Sequence, residues 1–235
     1  MQLVRSGSDI TVLSPSGPIA LGQIIGIGLN YAQHAIEQGS PIPERPVVFS
    51  KNTMAACLSG ESIRVPKICQ DKPQVDFEGE LAVYIGRPAR DVPIERALEY
   101  VLGYSCANDV SARWWQKQGS GGQFYRGKSF DTFCPLGPAV IPAGQVSDPN
   151  NLRLITRVNG QVMQDSTTGD MIFPVKAVIA ELSRGMTLMP GTVILTGTPP
   201  GVGMARTPQV FLASGDTVEV EIEQVGVLVS TVMFE

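Results

Sequence analysis

The chain has one histidine, His34, in 235 residues. Its four cysteines, Cys57, Cys69, Cys106 and Cys134, form no CxxC pair. A zinc centre of imidazole and thiolate ligands is thereby disfavoured, and any resident metal is expected to be a hard ion held by oxygens. The same cysteine spacing is expected to leave free thiols in a reduced, cytoplasmic setting. There is no lysine- or arginine-rich run and the formal net charge is −4, so electrostatics give no case for nucleic acid or a membrane surface as a partner. No apolar run approaches the ~18 residues of a membrane span. The opening MQLVRSGSDITVLSPSG lacks an apolar core behind a positive start, which gives no expectation of a secretory signal.

Turn residues, in contrast, are abundant: 25 Gly and 18 Pro, against a charged content of 17%. With 43% hydrophobic residues, this describes a folded chain of many short strands rather than long helices. The expected class is α+β, mostly β. Residues 1–20 are read as a short N-terminal strand and loop segment, and 21–235 as the main domain.

The most informative stretch is VDFEGELAVYI, from Val75 to Ile85. Val75, Phe77, Leu81, Val83 and Ile85 fall on odd positions, with Asp76, Glu78 and Glu80 between them. A strand sends alternate side chains to opposite faces, so this period predicts an apolar row on one face and carboxylates on the other. Glu78 and Glu80 would stand too close for both to stay ionised at low cost without a cation between them. That face is either solvated surface or half of a metal site. Asp109 ends a short apolar run, before a helix expected from Ser111 to Gln118. There it can point into a cleft or cap the helix.

Ile24 to Ile27 reads as a buried strand leading to a short helix. On that helix His34 and Glu37, three residues apart, share a face and can pair. Flanking glycines make the segment suitable as a lid. A second helix is expected from Asp91 and Pro93 through Leu102, stopped near Gly103. Gly122 to Ser129 fits G-x4-G-K-S, which raises a nucleotide-binding module as an alternative. A phosphate loop needs a buried strand before it and a helix after it. Here a polar helix precedes, and Pro135, Gly137 and Pro138 follow, so the context fails. Lys128 is left among aromatic neighbours able to bury it. Asn159-Gly160 marks a hairpin, Pro174 opens a helix that Gly185 closes, and Val218–Ile222 with Val227–Val232 forms a last hairpin. Strand Val193–Leu195 enters TGTPPGVG, whose hydroxyls and backbone N–H groups suit a small carboxylate.

Together these residues make one chemistry. Glu78, Glu80 and Asp109 form an oxygen-only site, His34 with Glu37 a base, Lys128 a cation and Thr198 an anchor. A divalent ion on three carboxylates keeps positions open for a 2-oxo acid or a diketone, whose enolate it would stabilise.

GLNYAQHAIEQG, DFEGELAVYIGR, NDVSAR with Gln116, GKSFDTFCPLGP and ILTGTPPGVG occur in that order. Over roughly residues 20–235 the chain resembles the fumarylacetoacetate hydrolase superfamily, in particular its small single-domain and domain-containing types. The resemblance implies a mixed β-roll with a few short helices that forms a homodimer and carries Mg²⁺, with Mn²⁺ or Ca²⁺ as alternatives. It implies metal ligation by Glu78, Glu80 and Asp109, and a lid dyad of His34 and Glu37. It also implies substrate contacts at Lys128, Thr198, Gly197 and Gln116. Larger members carry a fourth carboxylate where this chain has Ile27, and an aspartate is usual where it has Trp114. The expected activity is metal-dependent hydrolysis of a C–C bond in an acylpyruvate or β-diketo acid (fumarylpyruvate- or fumarylacetoacetate-like). Oxaloacetate-like 2-oxo acid decarboxylation and 2-hydroxy-dienedioate isomerisation are alternatives on the same site.

Overall fold

The computed structural model describes residues 1–235. Strands β1 (Gln2–Ser6), β2 (Asp9–Ser14) and β3 (Gly17–Ala20) form an antiparallel meander, more regular than the strand and loop expected there. Next come β4 (Ile24–Gly28), helix α1 (Ala32–Glu37), β5 (Val47–Lys51), β6 (Ala56–Leu58) and β7 (Ser62–Val65). The middle of the chain holds β8 (Val75–Asp76), β9 (Gly79–Ile85), β10 (Val101–Asn108) and β11 (Ser111–Ala112). Helices α2 (Arg113–Lys117) and α3 (Phe124–Lys128) then lead to β12 (Cys134–Pro142). The remainder comprises β13 (Arg153–Val158), β14 (Gln161–Thr167), α4 (Val175–Ser183), β15 (Val193–Leu195), β16 (Thr217–Ile222) and β17 (Gly226–Phe234).

The architecture is a mixed, mostly β roll with few short helices. A seven-stranded sheet runs β5-β4-β15-β9-β10-β12-β6, with β4–β15 and β12–β6 parallel. A five-stranded sheet runs β14-β13-β16-β17-β7. The seven-stranded sheet is a middle layer, which the alternation along β9 makes plain. Leu81, Val83 and Ile85 enter a core shared with α4 (Val178, Ile179, Leu182) and with Leu154 and Val220 of the five-stranded sheet. Ala82 and Tyr84 point the other way, into a core closed by Ile10 and Val12 of the N-terminal meander. A strand buried on both faces leaves no solvated side, so polar groups on it must find partners inside the protein.

The Val75–Ile85 period therefore works differently from the expectation of one strand with one acidic face. The chain bends at Phe77 and Glu78, with β8 pairing with β11 while β9 pairs with β10 and β15. Val75 and Phe77 fill a third core with Phe133 and Val218, while the later odd residues fill the first. This bend turns the stretch from a ribbon into a corner, and the carboxylates lie at the corner.

Two helix expectations are corrected. From Ile94 to Tyr100 the chain forms a 3₁₀ helix, and Val101 and Leu102 already belong to β10. Ser111 and Ala112 pair with β8, so α2 starts only at Arg113. The Asn159-Gly160 hairpin, the helix after Pro174 and the final hairpin form as expected. Gly122–Ser129 is no phosphate loop. Helix α2 precedes it, and the N–H groups of Gly122, Gln123 and Ser129 already bond Lys117, Ser120 and Arg126 carbonyls. Gly127 serves packing instead: a Cβ there would lie 2.4 Å from the Gln116 nitrogen, so glycine lets α3 lie against α2.

Candidate metal and active site

Three buried carboxylates converge at the corner. One ligand oxygen from each of Glu78, Glu80 and Asp109 lies within 4.8 Å of the others. Glu80 projects from β9, Glu78 from the bend before it, and Asp109 from the end of β10, whose N–H donates to the Glu78 carbonyl at 2.8 Å. Asp109 does not cap α2. Its carboxylate faces Lys51 and Lys128.

Asp76, on the same parity, is not part of the triad. It accepts from the N–H groups of Phe77 (2.9 Å), Gly203 (2.8 Å) and Met204 (3.0 Å), and from Arg113 Nε at 2.9 Å. It ties the loop after TGTPP to α2 and is saturated by doing so. Gly203→Ala tests this tie. An alanine Cβ would lie 1.8 Å from the Val210 carbonyl oxygen and 2.6 Å from Asp76 Oδ1. We expect the melting midpoint to fall by an amount equivalent to about 1–3 kcal/mol; an unchanged midpoint would show that this loop yields freely.

The charges at the site do not balance. Four buried carboxylates (Asp76, Glu78, Glu80, Asp109) meet three buried cations (Lys51, Arg113, Lys128). Lys128 Nζ lies 2.6 Å from Glu78 and 2.5 Å from Asp109, and Arg113 Nη1 lies 2.7 Å from Glu78. Burial pushes the Glu78 carboxyl up, but the charges of Lys128 and Arg113 together outweigh it and hold Glu78 well below the usual range. Burial likewise opposes the Lys128 charge, and Asp109 and Glu78 more than restore it. Glu80 has no cation of its own, only the Gly197 N–H at 2.7 Å. Burial, then the charges of Asp109 and Glu78, drive its pKa well above the ordinary value. A carboxylate lacking a counter-charge beside two others is the donor set of a hard divalent cation, and these residues fit one.

Above the triad lies a cleft of about 150 Å³. This is smaller than the ~300–1,000 Å³ of sites for drug-sized ligands, so its occupant is compact. His34 of α1 lines it, buried, with Nδ1 3.1 Å from Glu37 Oε2. Glu37 Oε1 in turn accepts from the Gly201 N–H at 2.9 Å, so the dyad joins α1 to the TGTPPGVG loop. A carboxylate at Nδ1 places the proton there and leaves Nε2 as the basic nitrogen. Asn30 fixes the chain just before α1, donating to the Thr196 and Phe173 carbonyls and accepting from Phe173 N–H.

The remaining expected site residues are placed as follows. Gln116 lines the cleft with Oε1 bound to Arg113 at 3.0 Å, so its amide N–H groups remain. The Gly197 N–H is not the open donor expected of it, because it supports Glu80. The Thr198 hydroxyl is also occupied, donating to the Gly79 carbonyl and accepting from Gln164. What Thr198 offers the cleft is its backbone N–H, which bonds nothing in the chain. Ile27, where a fourth carboxylate would stand, contributes an apolar wall, and Trp114 lies outside against Trp115 and Lys72.

Lys51 went unanticipated. It is buried against Asp109 and donates to the Phe133 carbonyl at 2.8 Å. Its signal was parity, since in VVFSK it shares the face of Val47 and Phe49, where a lysine needs a buried anion.

Residues 23–233 match the family model described as fumarylacetoacetate (FAA) hydrolase C-terminal. The chain is 44% identical over 233 residues to the mitochondrial oxaloacetate tautomerase fahd2 of Xenopus laevis, covering 99% of itself and 71% of that protein. Two solved structures are each 39% identical to it. The 5-carboxymethyl-2-hydroxymuconate delta-isomerase of Mycobacterium smegmatis superposes with a TM-score of 0.81, covering 100% of this chain and 93% of that one. The fumarylacetoacetate hydrolase of Exiguobacterium antarcticum does so at 0.82, covering 96% and 78%. On model, sequence and fold alike, the chain belongs to the fumarylacetoacetate hydrolase family.

Proposed function

We propose that the chain is a divalent-metal-dependent enzyme interconverting the keto and enol forms of a small 2-oxo acid, the reaction given by the name of its tautomerase relative, with an isomerase among its solved relatives. This departs from the C–C hydrolysis expected first and takes up the enol-shift alternative, because those relatives favour it. The observation that carries the reading is one compact cleft, with a carboxylate-oriented histidine at its wall and, at its floor, Glu78 and Glu80, which converge with Asp109 behind them. Glu78, Glu80 and Asp109 would hold Mg²⁺, with Mn²⁺ or Ca²⁺ as alternatives, and the ion would supply Lewis-acid stabilisation of negative charge on the 2-oxo oxygen. His34 removes the proton beside the carbonyl and returns it in the reverse direction, with Glu37 holding the ring, while the enolate oxygen takes its proton from water on the way to the enol and gives it back to water on the way to the keto form. Lys128 provides positive charge where the enolate oxygen forms, Thr198 N–H and the Gln116 amide orient the carboxylate, and Ile27 and Phe49 exclude water. A homodimer is part of the same proposal.

The test follows oxaloacetate enol by its ultraviolet absorbance as it converts to the keto form. We expect strong acceleration with Mg²⁺ and its loss on chelation with EDTA, regained with Mg²⁺. Turnover indifferent to EDTA would remove the metal from the reading. Hydrolysis of a C–C bond in a β-diketo acid is the second reading, favoured by the name of the Exiguobacterium fumarylacetoacetate hydrolase, and is assayed beside it with an acylpyruvate.

A further inference from the structure

Three cations line the cleft, and two of them are already engaged. Lys128 serves Glu78 and Asp109, and Arg113 serves Asp76 and Glu78. The third, Lys117, lies on the same face of α2: Arg113, Gln116 and Lys117 stand at i, i+3 and i+4, and all three line the cleft. Lys117 is exposed at the rim, whereas Glu78 and Glu80 lie buried at the floor. No carboxylate acts on its ammonium. Partial burial, followed by the like charge of Arg113, lowers its pKa from that of a free lysine. An anion beside it would relieve both effects. The only acids lining the cleft are Glu78 and Glu80 on the floor, so the rim carries a positive charge with nothing opposite it.

We propose that Lys117 receives a second carboxylate of the substrate, so that the site selects 2-oxo dicarboxylates over their monocarboxylic counterparts. This rests on the 2-oxo acid reading above. The 2-oxo end meets the acidic floor and the far carboxylate meets the ammonium at the rim. Two anionic ends bound 
at separate depths also fix which way round the acid enters, which a single carboxylate site would not do. Lys117 acts in specificity and makes no contact with the triad.

Calorimetry in Mg²⁺ compares 2-oxoglutarate with 2-oxopentanoate, which has the same chain length and lacks the far carboxylate. The wild type is expected to prefer 2-oxoglutarate by about tenfold, as one charge-assisted contact provides. Lys117→Met is expected to abolish that preference with 2-oxopentanoate binding unchanged, Lys117→Arg to keep it, and Lys117→Glu to reverse it. Equal binding of the two acids by the wild type, a preference that survives in Lys117→Met, or a parallel loss of both affinities would each overturn the proposal. Melting midpoints of the variants identify any that misfold, and Lys117→Arg then decides by whether it retains the preference. Absence of oxaloacetate tautomerisation combined with a Lys117-dependent preference would sink the reaction and leave this subsite standing. Tautomerisation with no such dependence would do the reverse.

Discussion

Glu80→Gln is expected to abolish metal-induced stabilisation and to lower turnover by about 10²–10³, the loss typical when charge stabilisation is removed from a transition state. The variant is nevertheless expected to fold as well as the parent. Glu80 is fully buried, has no cation partner and lies beside two other carboxylates, so replacing it with a neutral isostere removes repulsion from the metal-free protein. The amide oxygen can still accept the Gly197 N–H. In wild type, Mg²⁺ at a hundred times its dissociation constant is expected to add about 2.7 kcal/mol, or roughly 5–10 °C in melting midpoint for a chain of this size. Glu80→Gln should begin at or above the wild-type midpoint and gain nothing from Mg²⁺. A full Mg²⁺ shift in the variant would place the ion elsewhere, and the triad would then be only a buried acid cluster held by Lys51, Lys128 and Arg113.

The unequal legibility of this site has a physical cause. Period and turn chemistry are local, so β9, the Asn159-Gly160 hairpin and the helix behind Pro174 could be read directly. Glu78 and Glu80 could also be anticipated, because carboxylates at alternate strand positions within an apolar run need a reason to be there, whereas Asp109, at the end of another run, read equally as a helix cap. What the sequence did not carry was which acid meets which base. Asp76 shares the parity of Glu78 and Glu80, yet the bend at Phe77 sends it to Arg113 and the Gly203 turn. Lys51 reaches Asp109 from β5, at the far edge of the seven-stranded sheet from β12. The donors of TGTPPGVG looked open because their acceptors, Glu80 and Gly79, lie more than a hundred residues away. The failed helix before Gly103 has a similar origin: Val101 and Leu102 suit either state, and pairing with β9 decided for strand.

His34→Ala separates the chemistries that share this floor. If His34 moves the proton beside the carbonyl, oxaloacetate tautomerisation in the variant falls by about 10²–10⁴, the usual contribution of a positioned general base. Glu37→Gln should lose less, since it leaves the imidazole in place and weakens only its orientation through the 3.1 Å contact. Neither residue belongs to the acid triad, so the Mg²⁺-induced rise in melting midpoint should persist in both variants. Decarboxylation of oxaloacetate provides the contrast. Breaking a C–C bond to release carbon dioxide calls for stabilisation of the enolate and for no base at that carbon, so Mg²⁺-dependent decarboxylation should survive His34→Ala far better than tautomerisation. Acylpyruvate hydrolysis, which needs a proton taken from water, should fall with tautomerisation. A variant that tautomerises at the wild-type rate would relieve the lid of any chemical role and leave α1 as a cover. If wild type instead hydrolyses acylpyruvates faster than it tautomerises oxaloacetate, the same dyad is serving water, and the His34→Ala loss will appear in the hydrolytic assay first.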